Sequence, residues 1–94
     1  MNPSTLYLVQ SSYHATPKII EELRNLFRVG DQIVFMGDSV AQLSAEMIQP
    51  FKSVSCLSIE KDLLDTDILA QINVLDYDQF ADLVLTFNRC ISLK

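Results

Sequence analysis

Few residues of this 94-residue chain carry reactive chemistry: two cysteines, one histidine and some hydroxyls and carboxylates at element ends. A cysteine acts as a nucleophile only as its thiolate, which needs exposure and a nearby cation or helix N-terminus. Cys56 sits inside the apolar run Val54-Ser55-Cys56-Leu57 and reads as a small buried hydrophobe. Cys90 follows Arg89 after the last helical stretch, so it reads as the more exposed thiol with a cation beside it; the plainer alternative is an incidental residue. His14, in Ser11-Ser12-Tyr13-His14, has no partner in sequence and reads as a solvated imidazole, with Tyr13 beside it as a possible interface anchor. Asp38 and Asp76 read as helix caps before they read as catalytic carboxylates. The cysteines and the histidine lack metal-ligand spacing, and no Ser-His-Asp pattern stands out. With only two glycines, neither a dinucleotide fingerprint nor a phosphate-cradling loop can be written. No cofactor and no metal is expected, and Cys56 and Cys90 are the only catalytic candidates, both weak.

The elements that must hold these residues follow from hydrophobic spacing. Leu6-Tyr7-Leu8-Val9 is a first apolar strand that ends at Gln10-Ser11-Ser12. Thr16-Pro17 then marks a helix start, and Ile19, Ile20, Leu23, Leu26 and Phe27 recur at helical spacing until Gly30. Ile33 to Met36 has no polar face, the mark of a strand covered on both sides. It leaves through Gly37-Asp38-Ser39, where Gly37 permits a sharp turn and Asp38 or Ser39 can cap a helix predicted from about Ser39 to Ile48. Pro50 stops that helix. Ser53 to Ile59 is a third strand. Glu60 to Ala70 is either one helix or a turn and a second piece, broken at Asp65-Thr66-Asp67. Ile72 to Leu75 is a fourth strand. Asp76-Tyr77-Asp78-Gln79 forms a capping box ahead of Phe80, Leu83, Val84 and Phe87. Ile91-Ser92-Leu93 is a candidate fifth strand.

Strict alternation of strand and helix implies right-handed crossovers and a mostly parallel sheet. The expected fold is α/β: a three-layer α/β/α sandwich with four or five strands, built as one domain over residues 1–94. Loops at the carboxyl ends of parallel strands are where such folds bind ligands and partners. The strand-end candidates are therefore Ser11, Tyr13, His14, Asp38 and Tyr77.

Composition limits the function. Twelve acidic and seven basic residues give a net charge of −5, which opposes direct nucleic-acid binding. Acids concentrate in the second half and read as a solvated surface. The apolar fraction is 49% and mean hydropathy is +0.21, high for a domain that buries only roughly 60–70% of its unfolded surface. A sheet buried on both faces, docking onto partners, or both together would account for it; Tyr13, Met36, Phe51 and Tyr77 are candidate anchors. No segment has the length of a membrane span, and Met1-Asn2-Pro3-Ser4 brings no basic residue ahead of its apolar run, so a cytoplasmic location with reduced thiols and no membrane partner is expected.

Three stretches resemble a known family. Gln10-Ser11-Ser12-Tyr13 closes the first strand, Gly30-Asp31 leads through an apolar strand to Gly37-Asp38-Ser39-Val40, and Asp76-Tyr77-Asp78-Gln79-Phe80-Ala81-Asp82-Leu83 opens the last helix. In order and spacing, from Leu6 to about Phe87, they resemble the DsrH/TusB family of small sulfur-relay subunits within the DsrE-like group. The resemblance implies a DsrEFH-like fold and a cytoplasmic dimer of heterotrimers with TusC-like and TusD-like homologous subunits. Such a complex receives persulfide sulfur from an upstream donor protein and passes it toward 2-thiouridine at the tRNA wobble position, or handles sulfur during its oxidation. Some members carry a relay cysteine in the first helix; Pro17 to Phe27 has none here, Ser39 replaces a turn glycine and Ser12 a proline. The chain is accordingly read as a structural subunit. The alternatives are an active persulfide carrier through Cys56 or Cys90, or a homo-oligomeric ligand-binding or regulatory module using Ser11, His14 and Asp38.

Overall fold

Leu6 to Val9, Ile33 to Phe35 and Val54 to Leu57 are too apolar for a one-sided sheet, and the chain buries all of them but the half-buried Leu8. A computed structural model describes residues 4–51 and 53–94. Five strands, β1 (Thr5–Val9), β2 (Gln32–Phe35), β3 (Val54–Leu57), β4 (Asn73–Leu75) and β5 (Arg89–Leu93), form one sheet in the order β4-β3-β2-β1-β5. All four pairings are parallel, with Tyr7 level with Ile33 on one side and Ile91 on the other. The fold is α/β with helices on both faces of a parallel sheet.

The central strand shows how the pleat divides the core. Ile33 and Phe35 point into one apolar layer and Val34 and Met36 into the other. The first layer receives Ile19, Ile20 and Leu23 of α1 (Thr16–Leu26), Ile48 of α2 (Ala45–Ile48) and Ile68 of α3 (Thr66–Leu69). The second is covered by Phe80, Leu83, Val84 and Phe87 of α4 (Tyr77–Thr86). Handedness explains this division. Three crossovers step the same way from β1 to β4, which keeps their helices on one face. The fourth steps back across the sheet from β4 to β5, which puts α4 on the other.

Several elements differ from expectation. The helix predicted from Ser39 to Ile48 is a 3-10 helix over Gly37–Gln42 followed by the short α2. Leu43 and Ser44 between them are extended, and the Ser44 hydroxyl accepts from the Met47 amide. A serine that caps a new helix competes with continuing the old one. Asp38 lies in the first turn of the 3-10 helix without a capping bond, and Ser39 bonds carbonyls rather than amides. Thr16 is the first residue of α1 rather than its cap; Ala15 stands outside it in a helical conformation. That helix ends at Leu26, ahead of Gly30, whose φ of +93° serves the turn into β2. Glu60 to Ala70 divides as the second alternative has it, into a 3-10 helix over Ser58–Leu63 and α3. Met1, Asn2 and Pro3, part of the leader reading, lie outside the described residues. No helix among the described residues is long and apolar enough to cross a membrane.

Candidate functional site

The reversal of strand order falls between β1 and β5. In open parallel sheets that switch point, at the carboxyl ends of the strands, is the favoured place for a ligand or partner. Gln10 leaves β1 there, its amide bonded to the Leu93 carbonyl at 2.8 Å. The loop that follows carries Ser11, Ser12, Tyr13 and His14, and the 3-10 helix over Gly37–Gln42 stands beside it.

Hydroxyls tie this corner together. Ser11 is buried, and its Oγ lies 2.7 Å from Thr16 Oγ1. Thr16 donates its own proton to the Ser12 carbonyl at 2.7 Å, so Ser11 is the donor in the pair. Ser39, also buried, shares its proton between the carbonyls of Met36 at 2.8 Å and Val9 at 3.1 Å. The Gln42 side-chain amide donates to the Tyr13 carbonyl at 3.0 Å. Among the described residues no buried side-chain nitrogen or oxygen is left without a partner. These hydroxyls are committed to the loop's shape, and none of the three, Ser11, Thr16 and Ser39, has a general base as its partner.

Tyr13 and His14 are exposed and meet edge to face with ring centroids 5.6 Å apart. Asp38 is exposed on the adjoining 3-10 helix. The corner thus gathers Ser11, Tyr13, His14 and Asp38 on neighbouring segments. Tyr77 does not join them. It follows β4 at the far edge, three strand spacings or about 14 Å from β1. Of the proposed anchors, Tyr13 and Tyr77 are exposed, but Met36 and Phe51 are core residues. Met36 lies under α4, and Phe51 meets Phe27 edge to face at 5.2 Å.

The two thiols have opposite environments. Cys56 has no exposed surface; burial, and secondarily the negative charge of Glu60, push its pKa up. That placement does not fit an accessible thiolate. Cys90 is exposed on β5, level with Leu6 near the amino end of the sheet and away from the strand-end loops.

Two carboxylates that sequence reasoning passed over organise the sheet ends. Glu60 accepts from the Gly37 amide at 2.9 Å, linking the segment after β3 to the turn after β2. Asp31 is buried and accepts from the Thr5 amide at 2.8 Å and the Arg28 amide at 2.9 Å. Its signal was the Gly30-Asp31 turn signature, which announces a turn but not a second segment to bind. Among the described residues no three His, Cys, Asp or Glu side chains are placed to hold a metal ion. No protein-family model and no curated protein matches this chain.

Proposed function

We propose that the chain is a structural subunit of a cytoplasmic sulfur-relay complex, of the kind that passes persulfide sulfur toward wobble-uridine thiolation of tRNA. The observation that supports the reading best is the unequal cover of the sheet. Three helices pack one face, while α4 alone serves the other and none of its side chains is fully buried. A helix is about 10 Å across, and five strand axes span about 19 Å. Leu8 is therefore only half-buried on that face, and Cys90 and Ser92 beside it are exposed. A subunit that docks onto homologous chains uses such surface. The buried Cys56, and an α1 without cysteine, suit a member whose partners supply the sulfur-bearing thiol.

The test is co-purification. A tagged chain expressed in its native host brings down one TusC-like and one TusD-like homologue, and its deletion lowers 2-thiouridine in tRNA. A self-assembled species without such homologues, together with unchanged thiolation, favours the homo-oligomeric module instead. A mass gain of one sulfur on Cys90 after exposure to a persulfide donor would make the chain a carrier.

A further inference from the structure

The end of the sheet opposite the strand-end loops carries a groove that the reading above does not use. A cleft of about 630 Å³ opens between the end of α1 and the start of β5, with Tyr7, Leu26, Arg28, Val29, Asp31 and Arg89 among its walls. A second cleft of about 390 Å³ shares Arg28, Val29 and Asp31 and runs on past Gln32 to Pro50 and Ser53. The two clefts flank the turn from Arg28 to Asp31, at the amino ends of β5, β1 and β2.

Two cations stand at this groove in a chain with only seven. Arg28 and Arg89 are both exposed, and both sit within electrostatic reach of the Tyr7 hydroxyl. Asp31 shares the cleft with them, its carboxylate held by two backbone amides, so the arginines outnumber it by one. Leu26 and Val29 project beside them, Val29 with 95% of its surface exposed. Each guanidinium favours bidentate contact with a carboxylate, and flanking aliphatic side chains favour an apolar neighbour.

We propose that this groove docks an acidic, partly apolar segment of a partner protein, with Arg28 and Arg89 holding its carboxylates and Leu26 and Val29 its apolar side chains. A nucleic acid fits less well. Its many phosphates feel the whole molecule, which carries −5, whereas single carboxylates in a groove feel mainly the local arginines. The proposal stands whether or not the partner is a sulfur-relay homologue.

The experiment is a titration of the ¹⁵N-labelled protein with a blocked hexapeptide of alternating glutamate and leucine, its glutamine-for-glutamate counterpart, and hexauridylate. Expected shifts concentrate at residues 26–32 and Arg89 with the glutamate peptide and are weak with the glutamine peptide. Arg28→Gln and Arg89→Gln each weaken binding by about threefold and the pair by about tenfold. Lys18→Gln, which removes the same charge from the opposite end of α1, leaves it unchanged. Equal binding of the glutamine peptide overturns the proposal, as do shifts located elsewhere, arginine variants that bind like the parent, or no response at millimolar peptide. Stronger shifts of the same residues by hexauridylate overturn it in favour of nucleic acid. The peptide comparison needs no mutation, so it decides the matter even if an arginine variant folds poorly.

Discussion

Asp31 shows how much one side chain can hold. Its carboxylate joins the first residue of β1 to the turn that leaves α1, and it does so from a buried position. Asp31→Ala leaves the buried Thr5 amide without an acceptor and is expected to cost about 3 kcal/mol in urea unfolding. Asp31→Asn keeps one acceptor oxygen and costs less. The turn was legible from Gly30-Asp31, but the bond to Thr5 was not, because its partner lies 26 residues away. Cys56 was legible as a core residue from its apolar neighbours, and the sign of its titration follows. Its folded pKa lies above the ordinary value of 9.0, so the unfolded chain loses that proton first and stability falls as pH rises past 9.0. Tyr7 adds a decline of the same sign above 10.0, because burial and then Asp31 raise its hydroxyl against the pull of Arg89 and Arg28. Cys56→Ala is therefore expected to flatten the first part of the alkaline loss and keep the second, as read from unfolding midpoints across alkaline pH.

The capping-box helix, whose signal is contiguous, was read closely, whereas the third strand was read from Ser53 to Ile59 and ends at Leu57, where a 3-10 helix begins. In α4 the Asp76 carboxylate accepts from the Gln79 amide at 2.8 Å while the Gln79 side chain accepts from the Asp76 amide at 2.9 Å. That box is visible in four consecutive letters. Asp76→Ala is expected to cost about 1 kcal/mol and to speed amide exchange first in residues 77–80. The segment after β2 misleads because Val40, Leu43, Met47 and Ile48 satisfy helical spacing although Leu43 and Ser44 are extended. Both pieces still deliver their apolar side chains to the same layer, so the burial was readable where the backbone path was not. β5 was readable only as Ile91 to Leu93. Arg89 and Cys90 have no strand signal of their own, and pairing with β1 along its whole length extends the strand to them.

At the scale of the molecule, alternation of element types disclosed the parallel sheet, and four apolar residues at its centre disclosed cover on both faces. Strand order was not legible, since no local signal says that β5 returns to the side of β1. Part of the candidate site was lost for that reason. Ser11, Tyr13, His14 and Asp38 lie on neighbouring segments, yet Tyr77 shares their end of the sheet from the far edge strand. The fold sets charges of both signs at each end of the sheet: Asp38, Glu60, Lys61, Asp76, Asp78 and Lys94 lie toward the carboxyl ends of the strands, and Arg28, Asp31 and Arg89 toward the amino ends. The late return of β5 has a further effect on how the protein comes into being. As the ribosome extends the chain, β1 through β4 can zip up in the order they emerge, but the outer rim of β1 stays bare until residues 89–93 follow. Until then the nascent sheet offers unsatisfied amides and carbonyls next to its most apolar strands. Whatever shields that rim in the cell acts until residues 89–93 have emerged and paired, so a stop codon placed just before Arg89 would release a polypeptide inclined to stick to itself.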